Sequence, residues 1–283
     1  MGNAPAHGPG RGTCPKQTRI RKHRGRDILV ACKKFAFLVL LSALLSACSP
    51  SAVERVEWTT MGTVAALQTR GAQATEYAQS GRKTAQRLFE GIAKLLNAHD
   101  PDSELSRLAA LPEPEILAQC DPSVSNCYAT AFRLMHASGG AFNPRWRGPK
   151  TLDLGAIAKG FAVDVASGLE IGNGRGEAVL LDLGGNLKSI RGDWKVGIAG
   201  SDVILTLTNG MACATSAEYY RGKHISDGRT GQAVSNGVTS VTVVHPTSAM
   251  LADGLSTTLF VFGKEEGERF LKANFPEARA YWR

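Results

Sequence analysis

Residues 178–207 read AVLLDLGGNLKSIRGDWKVGIAGSDVILTL, and this stretch decides the fold class. Ala178–Leu183, Trp194–Ala199 and Val203–Leu207 are short runs rich in apolar and β-branched residues, each bounded by Gly, Asn or Asp. Such runs read as strands. A further strand is expected at Val238–Val244, and one at Thr63–Thr69 just after Met61-Gly62. Upstream the period changes. Ala85, Leu88, Phe89, Ile92, Leu95 and Leu96 recur at three and four, so a helix is expected from about Tyr77 to Ala98. Asp100-Pro101-Asp102-Ser103 stops it and offers an N-cap to a short helix, Glu104–Leu111. Another helix, Tyr128–Ser138, ends at Gly139-Gly140. Ile157–Leu169 reads as a helix after Asp153, and Met250–Phe262 and Glu265–Ala273 close the chain as two more. Helices, then mainly antiparallel strands, then helices favour α+β over a doubly wound sheet.

The chain has 283 residues and a formal net charge of +8. A basic balance can signal nucleic acid or a membrane surface. The distribution decides between them. Nine of the 33 basic residues and one of the 25 acidic ones lie in residues 1–47, which leaves 24 of each sign in the remainder. That neutral body carries no footprint for a phosphate backbone, so no nucleic-acid partner is expected. Lys33-Lys34 precede the apolar run FAFLVLLSALL (35–45), a signal-peptide pattern too short for a permanent span. Leu45-Ser46-Ala47-Cys48 resembles the bacterial lipobox, whose cysteine is acylated after cleavage. The expected division is 1–47 as leader and lipoprotein signal peptide and 48–283 as a single domain. Lipid on Cys48 would anchor that domain to the inner membrane, facing the periplasm. Residues 1–32 are rich in Gly, Pro and Arg and lack apolar periodicity, which suggests translation beginning near Val30. Cys120 and Cys127 bracket the turn-rich CDPSVSNC, where an oxidising compartment favours a local disulfide. A metal site there lacks two ligands.

Four segments carry candidate chemistry. In Ala252-Asp253-Gly254-Leu255-Ser256-Thr257, Asp253 and Thr257 stand four apart, so a helix brings carboxylate and hydroxyl to one face, where both reach a hard cation such as Mg²⁺. An N-cap Asp and a core Thr would read the same way. Asp153-Leu154-Gly155-Ala156-Ile157-Ala158-Lys159-Gly160 is a glycine turn entering a helix, suited to an anion, or a plain helix entry with a surface lysine. Leu183-Gly184-Gly185-Asn186 allows close approach of a ligand to the backbone, or simply a turn. His224, in the polar loop HISDGRTG (224–231), has the chemistry of a general base or of a structural histidine.

Taken in order, these segments resemble the ApbE family, the FAD:protein FMN transferases, along nearly the whole chain after Cys48. The stretches that carry the resemblance are Met61-Gly62-Thr63, DPDSELSRL (100–108), SGGAFNP (138–144), LDLGAIAKGFAVD (152–164), LLDLGGNL (180–187), ATSAEYY (214–220), HISDGRTG (224–231) and SVTVVHPTSAMLADGLSTTLFVFG (240–263). The resemblance implies two intimately packed lobes with mainly antiparallel sheets and flanking helices, in a T-fold-like architecture. It implies FAD as substrate and Mg²⁺ held by the Ala156 carbonyl, Asp253 and Thr257. It further implies flavin or adenosine contacts from Met61, His99, Ala141, Phe142, Asn143, Asp153, Lys159 and Ser226, with His224 as base. FMN would pass to a Thr or Ser of a membrane or periplasmic redox subunit, with release of AMP. Alternatives of other kinds are Mg²⁺-dependent hydrolysis of FAD and a non-catalytic FAD-binding lipoprotein. Against the family pattern, Asn143 stands for Asp, Gly228 for Pro, His99 for a stacking Tyr, and Ser256 for an acid found in some members. Gly228 in place of Pro is expected to loosen its loop. Only Arg145 to Thr151 separate GAFNP from LDLG, which implies a lost covering element and a site more open to water.

Overall fold

The computed structural model describes residues 52–168, 171, 178–218, 222 and 224–283. The expected leader with Cys48, the last expected helical residue Leu169, and Tyr219-Tyr220 lie outside the described residues. Two strands open the fold, β1 (Val53–Thr60) and β2 (Thr63–Arg70). Met61 and Gly62 join them with φ of 47° and 67°. Two positive φ values in a two-residue loop give the turn whose twist matches a hairpin. Helix α1 (Ala74–Leu95) follows. Its buried residues, Ala74, Ala78, Gly81, Ala85, Phe89 and Ile92, fall three and four apart on one face. That face lies on β1 and β2, where Phe89 stacks on Trp58 at 6.1 Å between centroids.

Three short helices come next: α2 (Glu104–Leu108), α3 (Glu113–Gln119) and α4 (Ser125–Ala137). Ser103 caps α2 by accepting from the Ser106 N–H at 3.1 Å, as its position after DPD implies. Helix α3 was not anticipated; Pro114 inside its first turn reads as a breaker in sequence but is tolerated there. The expected disulfide is corrected. Cys120 and Cys127 are free thiols. The Asp121 carboxylate accepts from the Ser123 N–H and hydroxyl and so turns the chain into α4. That turn sends Cys127 into the core at 0% exposure, where burial raises its thiol pKa and nearby Asp253 adds to the effect.

Helix α5 (Ala158–Gly168) leads to β3 (Ala178–Leu183), β4 (Asn186–Arg191), the β5–β6 hairpin (Trp194–Gly197 and Ile204–Leu207), β7 (Ala212–Ala217) and β8 (Ser240–His245). Helix α6 (Ala249–Asn274) and β9 (Arg279–Trp282) complete the chain. The main sheet has seven strands in the order β1-β2-β3-β4-β7-β8-β9. Every pairing in it is antiparallel. Helices α1, α5 and α6 pack on it and bury the larger core. A smaller cluster, Leu180, Trp194, Ile198, Leu205, Leu207, Cys213 and Val244, unites the β5–β6 hairpin with residues of β3, β7 and β8. Arg70 ties the hairpin down, its guanidinium 4.4 Å from the Trp194 ring and bonded to the Asp193 carbonyl at 2.6 Å. The α+β class and the mainly antiparallel sheet are as expected. The two expected C-terminal helices are one assigned element broken at Gly263, where φ is 74°. Asn236 Nδ2 donates to the carbonyls of Phe260 and Val261 beside that break.

The start of α6 is capped by Ser248, which accepts from the Leu251 N–H at 3.1 Å, and is held by Asp164 and His245. Asp164 of α5 accepts from the Ala249 and Met250 N–H groups at 2.9 and 3.0 Å, from the Ser248 hydroxyl at 2.7 Å and from Lys188 Nζ at 2.7 Å. A carboxylate so placed satisfies orphan donors and complements the helix dipole. Asp164→Ala is expected to lower stability by about 3 kcal/mol, seen as a reduced midpoint in denaturant unfolding. His245, 4% exposed, accepts from the Thr247 and Ser248 N–H groups at Nδ1, at 3.2 and 3.0 Å, while Nε2–H donates to Glu277 at 3.3 Å. Burial pulls its pKa below 6.5, so the unfolded chain takes up this proton more readily than the folded one. Stability from His245 is complete above about pH 6.5 and is lost as pH falls through the lower folded value. Melting temperatures from about pH 7 to pH 5 should fall less steeply for His245→Asn than for the parent.

Candidate functional site

Helices α5 and α6 cross in near contact because Gly160 has no side chain. A Cβ at Gly160 would collide with the Ala249 carbonyl and with Asp253 Cβ. The closeness lets the Gly160 N–H reach across and donate to Asp253 Oδ2 at 3.0 Å. In a regular helix that N–H would serve the carbonyl four residues back, that of Ala156. Among the described residues no other donor reaches the Ala156 carbonyl. One diverted hydrogen bond therefore frees a backbone oxygen beside α6.

Asp253 is 5% exposed, and burial raises its pKa above the usual carboxylate value. Lys159 opposes that rise, with Nζ 3.5 Å from Asp253 Oδ2 and a hydrogen bond of 3.0 Å to the Gly155 carbonyl. One turn on, Thr257 Oγ1 lies 3.0 Å from Ser216 Oγ of β7. The Ala156 carbonyl, the Asp253 carboxylate and the Thr257 hydroxyl are hard oxygen donors of three kinds. Magnesium suits such a set, with its remaining positions taken by water or phosphate. The freed carbonyl and the buried carboxylate, faced by Lys159 and the Gly160 N–H, fit the cation. No group of three or more His, Cys, Asp or Glu poised for a metal occurs among the described residues.

The turn before α5 is held by Asp153. Its Oδ1 accepts from the Gly155 N–H at 2.8 Å, and its Oδ2 lies 3.3 Å from both Trp146 Nε1 and an Arg147 nitrogen. Arg147 lies over the Trp146 ring at 4.6 Å. The short connector is thus not an empty gap. Arg145 anchors it, donating to the carbonyls of Ala109 and Pro149 at 2.6 Å and also to that of Leu111.

The GGAFNP loop meets the HISDGRTG loop directly. Asn143 Nδ2 donates to the Gly228 carbonyl at 3.0 Å and its Oδ1 accepts from the Arg145 N–H at 2.8 Å. The Gly228 N–H donates to the Ala141 carbonyl at 3.1 Å. A Cβ at Gly228 would collide with Asn143 and the Gly140 carbonyl. The expected loosening at Gly228 is corrected, because the missing side chain is what lets the two loops close on each other. Ala141 and Phe142 are 1% and 3% exposed, so their side chains belong to the core and their backbone faces the loops. His224 is exposed, and its Nδ1 lies 2.8 Å from the Gly222 carbonyl. A carbonyl only accepts, so Nδ1 carries the proton and Nε2 of the neutral ring presents a lone pair. Ser226 pairs in an isolated antiparallel bridge with Ala233, just beyond that loop. Met61 packs against the core from its hairpin turn, and His99 is exposed at the loop before α2; no described hydrogen bond joins either to Asp253.

Ser216, Gly160, Asp164, Arg145 and Trp146 were not singled out in sequence, and Ser256 was noted only as standing where some members carry an acid. Asp164 and Gly160 lie inside a quoted motif, but only the α5–α6 crossing reveals their work. Gly228→Ala should separate the loops and cost about 2 kcal/mol, read as a lower unfolding midpoint; an unchanged midpoint would contradict the contact.

A family profile described as the ApbE family matches residues 146–282. A relative from Vibrio cholerae serotype O1, an FAD:protein FMN transferase, is 35% identical over 142 residues, or 44% of this chain and 42% of that protein. The chain thus spans less than half the length of that curated relative. A solved flavin transferase ApbE from Vibrio cholerae superposes with a TM-score of 0.66 at 23% identity, covering 82% of this chain and 97% of its own. The apo flavinyl transferase ApbE of Pseudomonas stutzeri gives 0.68 at 22% identity, with 83% and 92% covered. At these identities the structures speak for the fold.

Proposed function

We propose, on the premise that residues 146–282 belong to the ApbE family, that the protein is a magnesium-dependent FAD:protein FMN transferase. The observation that carries this reading is the oxygen set of Ala156, Asp253 and Thr257, with Lys159 against Asp253. When bound there, Mg²⁺ would neutralise charge on the FAD pyrophosphate. Lys159, now paired with Asp253, would exchange it for a phosphate oxygen and add a second positive charge to the same group. The acceptor Thr or Ser oxygen attacks the FMN-side phosphorus, the bond to the AMP oxygen breaks, and AMP leaves. Transfer of this kind depends on positioning and charge stabilisation. His224, exposed and held through Nδ1 by the Gly222 carbonyl, would take the hydroxyl proton at Nε2.

The same reading makes the chain an exported lipoprotein. Lys33-Lys34, the apolar run 35–45 and Cys48 support a lipid anchor on the inner membrane with the domain in the periplasm. No described helix is long and apolar enough to cross a membrane. The acceptor would be a membrane or periplasmic redox subunit.

Incubation with FAD, Mg²⁺ and an acceptor peptide bearing the family's target motif tests the activity. Covalent flavin fluorescence on the peptide, matched by free AMP, is the expected result. AMP without labelled peptide would indicate hydrolysis, and bound FAD with neither product would indicate storage. His224→Ala should slow labelling by about a hundredfold or more while FAD binding, followed by flavin fluorescence, stays at the parent level.

A further inference from the structure

Ser216 projects from β7 toward α6, and its hydroxyl meets two others. Ser256 Oγ is 2.8 Å away and Thr257 Oγ1 is 3.0 Å away. Ser256 in turn donates to the Asp253 carbonyl at 2.9 Å. Ser256 is 0% exposed, so its bonds are made within the protein.

Each hydroxyl owns one proton and two lone pairs, and that count fixes the direction of every bond. The Asp253 carbonyl can only accept, so it takes the proton of Ser256. The contact between Ser216 and Ser256 must then use the proton of Ser216. The contact between Ser216 and Thr257 must use the proton of Thr257. Reversing the last bond would leave two hydroxyl oxygens 2.8 Å apart with no proton between them. The protons therefore run one way, from Thr257 to Ser216 to Ser256 to the Asp253 carbonyl. Both lone pairs of Thr257 Oγ1 remain outside the chain.

A neutral hydroxyl binds a hard cation through a lone pair while keeping its proton. We propose that Ser216 and Ser256 are positioning residues whose one-way hydrogen-bond chain holds the Thr257 proton away from the cation and turns its lone pairs toward it. This rests on the magnesium reading above. It gives Ser256 a part other than ligation, at a position where an acid would have been a further ligand. The chain also ends on the backbone of Asp253, so it ties the second side-chain ligand to the first.

The test is cation binding by the full chain without FAD, by calorimetric titration with MgCl₂ and by Mn²⁺ spin resonance. Ser216→Ala, which removes the acceptor for the Thr257 proton, should weaken Mg²⁺ binding by about tenfold. Ser216→Thr, which keeps a hydroxyl, should bind as the parent does. Ser256→Ala should also weaken binding, because Ser216 is then free to turn its proton onto Thr257. The double variant Ser216→Ala/Ser256→Ala should bind no more weakly than Ser216→Ala alone. Parent affinity in a folded Ser216→Ala, or independent losses that multiply in the double variant, overturns the chain. If Ser216→Ala does not fold, Ser216→Thr and Ser256→Ala decide: parent affinity in both overturns the proposal, and loss in Ser256→Ala alone supports it. A parent protein that binds no Mg²⁺ instead removes the cation reading, and the chain's role with it.

Discussion

The close approach of α5 and α6 at Gly160 is the constraint on which the site depends. Two helices packed through ordinary side chains sit 8–10 Å apart, roughly. Here the glycine lets one backbone N–H leave its own helix and bond the Asp253 carboxylate on the other. That single diversion buries a carboxylate, holds it in register and frees the Ala156 carbonyl. The Asp164 network clamps the same two helices one turn away, where Ser248, Ala249 and Met250 begin α6. With α6 held at its start and at Asp253, Thr257 falls over β7.

The sheet serves this arrangement as a floor. Strands β4 and β7 are neighbours, although the β5–β6 hairpin separates them in the chain. That excursion packs against the second core and leaves β7 free to bring Ser216 beneath α6. The loops are organised by the same logic. Short backbone approaches, Gly228 to Ala141 and Asn143, join two segments 85 residues apart at Asn143. Arg145 binds carbonyls on both sides of its connector, so a segment of seven residues can hold the DLG turn in place. Asn143 and Gly228, which both differ from the pattern the sequence resembles, meet at one contact, which explains why neither could be judged alone.

Sequence patterns located the elements with strong periodicity. The faces of α1 and α4, the strand Ala178–Leu183 and both halves of α6 were legible because apolar spacing is a local property. Strands β4, β7 and β9 were not. NLKSIR carries two charges, ACATSA is built of small residues, and RAYW is too short to show alternation. Each becomes a strand through its neighbours, and pairing is a property of the sheet. Strand β1 does alternate, but its Glu and Arg mark an edge, which weakens the signal.

By itself the sequence determined the α+β class, the neutral body behind a basic N-terminal stretch, and the candidate residues Asp253, Thr257, Lys159 and His224. A four-residue helical spacing is enough to put Asp253 and Thr257 on one face, since helix geometry is fixed by the backbone. Only the tertiary structure decided what surrounds them. It paired Asp253 with the Gly160 N–H, set Ser216 against Thr257, closed Gly228 on Asn143 and kept Cys120 and Cys127 apart as thiols. Each of those outcomes joins groups distant in sequence. Their meeting is set by which helices can approach and which strands pair, and no local pattern carries that information.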